Sequence, residues 1–127
     1  MSRAVWDAST LLFVLLQEPG WEDWATELPE SVMTTVNLSE VMTKIMSLGG
    51  VPAATREVLE ALPIEVHDFS SELAFLAASL RRPTKPQGLS LGDRACLALG
   101  ASLGLPVLTA DRVWGELDVG VEISLVR

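Results

Sequence analysis

The stretch 91-LGDRACLALGASLGLPVL-108 decides the fold class of this 127-residue chain. Residues 93–103 are small or apolar on almost every side, which predicts a buried helix. Gly104 and Pro106 end that helix, and the apolar residues that follow predict a strand. A buried helix that leads directly into a short strand indicates a sheet covered by helices.

Four further segments predict strands, and helical patterns separate them. The strand segments are Ala4–Trp6, 32–34, 64–66 and 121–123. One helical pattern starts at Leu38 and ends at Gly49-Gly50, and another starts near Ser70 with a single apolar stripe. The alternation predicts an α/β fold with a parallel sheet. Because no linker or repeat interrupts the pattern, we expect one domain, 1–127.

The composition excludes several classes of protein. The chain is 49% hydrophobic with a net charge of −8, so it has material for a core and lacks the bulk positive charge that grips nucleic acid. The longest aliphatic-aromatic run, 11–16, is too short to cross a membrane. Cys96 is the single cysteine, which excludes a disulfide framework. We therefore expect a soluble, cytoplasmic protein whose contacts with nucleic acid, if any, are local.

Four carboxylates lie where a strand gives way to a helix or where a helix begins: Asp7, Glu40, Asp93 and Asp111. In parallel sheets, ligands bind beyond the carboxyl ends of the strands. Asp7 and Asp111 each follow a predicted strand, so the four side chains are candidates for one shared cleft.

Helix capping offers an alternative explanation for each acid. Asp7 and Asp111 suit the N-cap position of the helix that follows, and the segments 37–40 and 90–93 resemble capping boxes. Glu40 lies opposite the apolar stripe of its helix, which fits either a solvated face or an open groove. The sequence leaves both alternatives open.

If the four carboxylates converge, their mutual repulsion requires a cation. A ligand set of carboxylates without a His or Cys cluster favours a hard ion, Mg²⁺ or Mn²⁺. Such an ion lowers the pKa of a bound water and neutralises charge on phosphoryl oxygens. The hypothesis that follows is phosphodiester hydrolysis.

Short fragments around these acids resemble the PIN-domain ribonucleases, and most nearly the VapC toxins of bacterial toxin–antitoxin pairs. The fragments are 5-VWDAS-9, 38-LSE-40, 91-LGDRAC-96 and 108-LTADRVW-114. Together they cover nearly the whole chain in the order that the family has.

The resemblance implies a single PIN-like domain with a five-stranded parallel sheet flanked by helices. It also implies an Mg²⁺- or Mn²⁺-dependent endoribonuclease that acts on RNA as the toxin of a VapBC-type pair, forms a homodimer and is silenced by a small cognate antitoxin. The family's four catalytic acids match Asp7, Glu40, Asp93 and Asp111, and we expect the three aspartates among them to bind the metal.

Other residues take supporting roles in this interpretation. Ser9 and Thr109 match hydroxyls that hold acids or water in similar proteins. Arg94 and Arg112 are candidates for phosphate contacts or, equally, surface cations. The family's further acid after the fourth is missing here, since Val113 and Trp114 follow Arg112, and Glu116 and Asp118 are left outside the site.

Two other functions compete with this one. A phospho-accepting receiver domain has a similar size, but Ala8 and Ser9 stand where its second acid is required. A catalytically silent PIN-like binding module retains the fold without the chemistry, and all four acids being present disfavours it.

The remaining signals are weaker. His67 is expected to be a partly buried hydrogen-bonding residue. Trp21 and Trp24 are spaced for core packing, with base stacking or a partner contact as the alternative. Phe75 falls off the apolar stripe of its helix, which is typical of a dimer or antitoxin surface.

Overall fold

The computed structural model describes residues 3–127, so the first two residues of the predicted domain lie outside the described part. Its centre is a five-stranded, all-parallel sheet in the order β3-β2-β1-β4-β5. The strands are β1 (Ala4–Trp6), β2 (Ser31–Thr34), β3 (Glu65–His67), β4 (Val107–Thr109) and β5 (Ile123–Leu125). The predicted α/β class and the five-stranded parallel sheet are confirmed.

Six α-helices connect and cover the strands of the described chain. They are α1 (Ala8–Leu15), α2 (Trp21–Ala25), α3 (Thr35–Ser47), α4 (Pro52–Glu60), α5 (Ser71–Ser79) and α6 (Leu91–Leu103). Within residues 3–127, none of these helices has the length and apolar character needed to cross a membrane.

The sheet separates two apolar cores, because successive residues of a strand face opposite sides. In β1, Ala4 and Trp6 pack with α1, α3 and α4, whereas Val5 packs with α5 and α6. The predicted buried helix is confirmed as α6: its residues 95–100 are all buried. This helix is therefore anchored against the middle of the sheet.

Three local details differ from the sequence expectations. Strand β5 begins at Ile123, two residues later than the predicted segment 121–123. Helix α4 had no counterpart in the prediction. The capping box predicted for 37–40 is wrong: α3 begins at Thr35, and the Thr34 hydroxyl accepts the N-terminal hydrogen bond from the Asn37 backbone. Strand β2 passes directly into α3, which moves Asn37 into the first helical turn.

The connections of the sheet define where a ligand site is expected. From β1 the chain moves outward to β2 and β3, and then returns to β4 on the other side of β1. The strand order thus reverses between β1 and β4, which is the place where parallel α/β sheets bind ligands beyond their carboxyl ends. Asp7 follows β1 and Asp111 follows β4 at this position.

Candidate active site

Asp7 is the buried centre of the site. Its side chain is 4% exposed and caps α1 by accepting a hydrogen bond of 2.9 Å from the Thr10 backbone N–H. The capping role that the sequence suggested is therefore real, but it engages one oxygen, Oδ1. The position of Asp7 at the end of β1 fixes the carboxylate at the point where the strand order reverses.

Two hydroxyls hold the Asp7 carboxylate from α1 and β4. Ser9 Oγ donates to Oδ1 at 2.7 Å, and Thr109 Oγ1 donates to Oδ2 at 2.7 Å. The same hydroxyls accept from the next strand-end residues: Ser9 from the Ala110 N–H and Thr109 from the Asp111 N–H. Both residues expected to support the acids thus contact Asp7 and tie it to the end of β4.

The electrostatics of Asp7 are those of a buried acid with no countercharge. Desolvation raises its pKa, and the hydrogen bonds from Ser9, Thr109 and Thr10 oppose the rise without cancelling it. Within residues 3–127, no ion pair involves Asp7, Glu40 or Asp93. The fold therefore bears the cost of burying negative charge here.

Glu40 reaches the same region from α3. Its Oε1 accepts a 2.9 Å hydrogen bond from Asn37 Nδ2, and its carboxylate lies against the backbone of Gly92 in the first turn of α6. Of the two alternatives for Glu40, the groove is the one observed, because the carboxylate faces another element and is only partly exposed.

The pKa of Glu40 shows which charges lie nearby. Desolvation raises this pKa most, the Asn37 hydrogen bond lowers it, and the charges of Asp93 and Asp7 raise it further. The buried thiol of Cys96 has its pKa raised by burial first and then by Asp7, Asp93 and Glu40. Glu40 therefore lies within electrostatic range of Asp93 and Asp7, and all three carboxylates lie within range of Cys96.

Asp93 takes part in a complete capping box, as predicted. The Ser90 hydroxyl accepts from the Asp93 N–H, and the Asp93 carboxylate accepts from the Ser90 N–H at 3.0 Å. That bond engages Oδ2 only. Asp93 thus caps α6 and contributes its charge to the group around Glu40.

Asp111 stands at the side of this group. Its Oδ1 caps a 3₁₀ turn, Arg112–Glu116, by accepting from the Val113 N–H at 3.0 Å. Its charge is not among the causes that shift the pKa of Asp7 or Glu40. The connection to Asp7 runs instead through the Thr109 hydroxyl. Glu40 thus lies within electrostatic range of Asp7 and Asp93, whereas Asp111 is linked to Asp7 through the Thr109 hydroxyl.

A cavity of about 360 Å³ opens beside Asp111. Its lining residues are Ser9, Ala110, Asp111, Arg112 and Arg127. Arg127 had no sequence signal, and its guanidinium forms an ion pair with Glu18 and lies over the Phe13 ring. Of the two arginines considered from the sequence, Arg112 borders this cavity.

Arg94 has a different environment from Arg112. Its Nη1 donates to the Ala77 carbonyl of α5 at 3.0 Å, and its Nε is buried with no hydrogen-bond partner in the described structure. The guanidinium therefore links α6 to α5.

The donor set suits a hard divalent cation in its chemistry. Among residues 3–127, no group of three or more His, Cys, Asp or Glu side chains is gathered closely enough to hold a metal. Mg²⁺, however, commonly binds through one or two carboxylates and keeps several waters. Carboxylates with raised pKa values and no cation partner fit such an ion, because it would supply the missing positive charge.

Residues away from the site behave largely as expected. His67 Nε2 is hydrogen-bonded to Glu65, which confirms its predicted role. Trp21 and Trp24 are half-buried against the α1 core, and Trp24 donates to the Val126 carbonyl, which favours packing over base stacking. Phe75 is 71% exposed, in agreement with its place off the apolar stripe.

Comparisons with known proteins agree with this architecture. A family model for the PIN domain matches residues 4–120. The comparison with curated proteins found no match. A toxin–antitoxin complex from Klebsiella pneumoniae is 17% identical, with a TM-score of 0.77 over 98% of each chain. DNA-bound VapBC from Salmonella typhimurium is 17% identical, with a TM-score of 0.74 over 100% of each chain.

A third similar structure is that of a sarcin–ricin loop cleaving toxin, VapC20 of Mycobacterium tuberculosis. It is 15% identical, with a TM-score of 0.72 over 94% of this chain and 98% of that one. At such identities these likenesses show a shared fold, and the family model covers most of the chain independently.

Proposed function

The chain belongs to the PIN-domain family, and from that premise we propose that it is a metal-dependent endoribonuclease, the toxin of a VapBC-type toxin–antitoxin pair. The observation that carries the proposal is the group of Asp7, Glu40 and Asp93 at the reversal of strand order, with no cation partner among the described residues. The RNA-cleaving activity in the name of one similar structure supports the choice of substrate.

The proposed metal site uses Asp7, Asp93 and Asp111, with Mg²⁺ or Mn²⁺ as the ion. When bound, the ion would lower the pKa of a water and neutralise charge on the phosphoryl oxygens of RNA. Asp93 has Oδ1 free to bind the ion, since the hydrogen bond from Ser90 engages Oδ2 alone. Asp7 Oδ2 accepts a single hydrogen bond, from Thr109, and so keeps a lone pair for the ion. Asp111 contributes from the cavity side.

In this proposal, two side chains orient the Asp7 carboxylate and a third accepts a proton. Ser9 and Thr109 hold Asp7 in one orientation, so the carboxylate needs no rearrangement when substrate arrives. Glu40 has a raised pKa, which makes it a better proton acceptor near neutral pH than an ordinary glutamate. We assign Glu40 Oε2 to accept the proton of the attacking water.

The proposed partners are RNA, a small antitoxin and a second copy of the chain. The similar structures include toxin–antitoxin complexes, two of them of the VapBC family, which supports an antitoxin. Large apolar side chains are exposed on several helices, as expected of surfaces covered in a complex. They include Phe75 on α5, Val58 on α4 and Leu91 on α6.

The test is cleavage of RNA by the purified protein with Mg²⁺ or Mn²⁺. We expect cleavage that EDTA abolishes, and a loss of at least about 100-fold in kcat for Asp7→Asn and Asp93→Asn. Asp111→Asn tests whether the marginal acid belongs to the metal site. Asp118→Asn is the matched control, because it removes the same charge from an exposed position outside the site.

Undiminished cleavage by Asp7→Asn and Asp93→Asn would show that the assigned chemistry is wrong. A wild-type protein that binds the antitoxin but cleaves no RNA under any metal condition would support the silent PIN-like binding module instead.

A further inference from the structure

Asn37 is buried at the junction of α3 and α6, where both its amide nitrogen and its amide oxygen form hydrogen bonds. It is 1% exposed. Its Nδ2 donates to Glu40 Oε1 and to the Gly92 carbonyl, both at 2.9 Å. Its Oδ1 accepts from the Thr34 hydroxyl at 2.6 Å. One amide therefore joins the end of β2, the acid on α3 and the first turn of α6.

This arrangement allows only one orientation of the amide. Glu40 Oε1 and the Gly92 carbonyl are both acceptors, so the group facing them must carry two hydrogens. The Nδ2 of asparagine carries both hydrogens. An aspartate here would place a third acceptor oxygen beside Glu40 Oε1 and the Gly92 carbonyl, with no hydrogen between them. The neighbours of the side chain therefore specify an amide.

Gly92 and Asn37 together hold the Glu40 carboxylate, and we call this pair of contacts the seat of Glu40. A Cβ built on Gly92 would lie 2.2 Å from Glu40 Oε2 and 2.4 Å from Oε1, so any larger residue at this position would displace the carboxylate. The carboxylate thus lies directly on the helix backbone one residue before Asp93. Asn37 holds Oε1, and the described structure gives Oε2 no hydrogen-bond donor.

We propose that Asn37 is a positioning residue, which holds the Glu40 carboxylate on Gly92 so that Oε2 remains available beside Asp93. The proposal rests on the proposed ribonuclease function, because it assigns to Asn37 the placement of that reaction's proton acceptor. Asn37 acts through Glu40 and does not itself touch the reacting atoms.

The first experiment measures RNA cleavage by Asn37→Asp, Glu40→Gln and the double variant. We expect Asn37→Asp to lower kcat about 10- to 100-fold while KM changes less than about 3-fold, as for residues that orient a catalytic group. Because Asn37 acts through Glu40, the double variant should be no slower than Glu40→Gln alone. Two losses that multiply would overturn the proposal.

Thr84→Val is the matched control for the loss of a buried hydrogen bond. Thr84 is fully buried, and its hydroxyl donates to the Leu80 carbonyl, away from the acids. This variant should be less stable but retain the wild-type kcat. A comparable fall in kcat for Thr84→Val would show that any buried polar loss slows the reaction and would overturn the assignment to Asn37.

A second variant tests the seat without altering Asn37 and without depending on activity. Gly92→Ala should lower the Tm of the metal-free protein, and the loss should be smaller in a Glu40→Ala background, where no carboxylate meets the new methyl group. Equal losses in both backgrounds would contradict the contact. If the wild-type protein cleaves no RNA, the proposed function and the role of Asn37 fail together, whereas the Gly92 result still reports on the seat alone.

Discussion

Asp7 combines near-complete burial with an ionisable side chain and hydrogen bonds from three neighbouring residues. Its hydrogen bonds fix the geometry of the ionised form, while desolvation penalises the same form. Both effects meet in one side chain because the site needs an oriented negative charge. Stability therefore favours the protonated form of Asp7, whereas the proposed metal binding requires the ionised form.

The first prediction concerns the pH dependence of stability. The folded-state pKa of Asp7 is raised above its ordinary value of 3.8, so its stabilising contribution is greatest below that pH and is lost as pH rises through the folded pKa. The variant Asp7→Asn has no carboxyl to ionise at this position and so does not lose this contribution. The Tm of Asp7→Asn minus the Tm of the metal-free wild type should therefore increase from pH 4 to pH 7. Thermal unfolding across that range measures the difference.

Glu65→Gln provides a control of opposite sign. A hydrogen bond from His67 lowers the pKa of Glu65, with Arg3 contributing, so its stabilisation is present above the ordinary value and is lost as pH falls through the folded pKa. The Tm of Glu65→Gln relative to wild type should therefore decrease from pH 4 to pH 7. A flat difference for Asp7→Asn over this range would contradict the burial argument.

The second prediction concerns the single thiol. Burial raises the pKa of Cys96 well above its ordinary value, and the three nearby acids add to the rise. Since the thiolate is the reactive form, the native protein should not react with a disulfide reagent at pH 8. Reaction should follow global unfolding, measured as a labelling rate that rises with denaturant. Rapid labelling of the native protein would contradict this.

At the residue scale, the sequence predicts the caps better than the contacts between elements. Asp7 and Asp111 are the N-caps of the helical segments that follow them, and Asp93 completes the capping box of α6 with Ser90. Local spacing indicates all three, because a cap depends on neighbours three residues away or fewer. The bonds from Asn37 to Gly92 and from Thr109 to Asp7 span 55 and 102 residues. No local pattern contains such pairs.

At the scale of elements, Gly100 allows α6 to pack closely on β4. A Cβ on Gly100 would lie 2.7 Å from Val107 Cγ2 and 3.3 Å from Val121 Cγ1. The helix therefore packs on the sheet at a distance that only glycine allows. This contact holds the N-terminal turn of α6, with Gly92 and Asp93, at its place over the strand ends.

The third prediction is that Gly100→Ala destabilises the protein. Helix propensity alone favours alanine by about 1 kcal/mol, but overpacking a filled core costs about 1–3 kcal/mol. We expect the packing effect to dominate and the free energy of unfolding to fall, as measured by urea titration. Ser102→Ala on the exposed face of α6 is the control and should change stability by less than about 0.5 kcal/mol. A more stable Gly100→Ala variant would contradict the contact.

The elements themselves were predictable where their patterns are strong. Ala4–Trp6 is predicted to the residue, and α6 within two residues, because an apolar segment bounded by breakers is a local signal. The sequence does not predict α4 by an apolar stripe. Val51, which precedes the helix, and Val58 within it are both exposed, so the apolar residues of this segment do not share one buried face. Val121 and Ile123 are apolar, but pairing with β4 places the strand at Ile123–Leu125.

At the scale of the whole molecule, a net charge of −8 coexists with a group of acids at one end of the sheet. The charge opposes binding of RNA to the general surface. A divalent ion in the proposed site would offset part of this charge and present one positive centre to a phosphate, while the rest of the surface stays acidic. Cleavage should therefore depend on the site and not on general affinity for nucleic acid.

The fourth prediction concerns the effect of metal on stability. Mg²⁺ or Mn²⁺ should raise the Tm of the wild-type protein, because binding to the folded state alone stabilises it and the ion would offset the negative charge of the acids. The rise in Tm should be smaller for Asp93→Asn and the same as in wild type for Asp118→Asn. Calorimetric titration of each protein with the metal measures binding directly. An equal rise in Asp93→Asn and in wild type would contradict the proposed ligand.

The order of the strands has a consequence for synthesis of the protein. One of the hydroxyls that hold Asp7 belongs to Thr109, near the opposite end of the chain, and β1 pairs with β4 as well as with β2. A nascent polypeptide therefore exposes its first acid long before the ribosome has released the residue that orients it. The complete set of hydrogen bonds around Asp7 can therefore form only after translation has passed Thr109, and the proposed activity would begin no earlier.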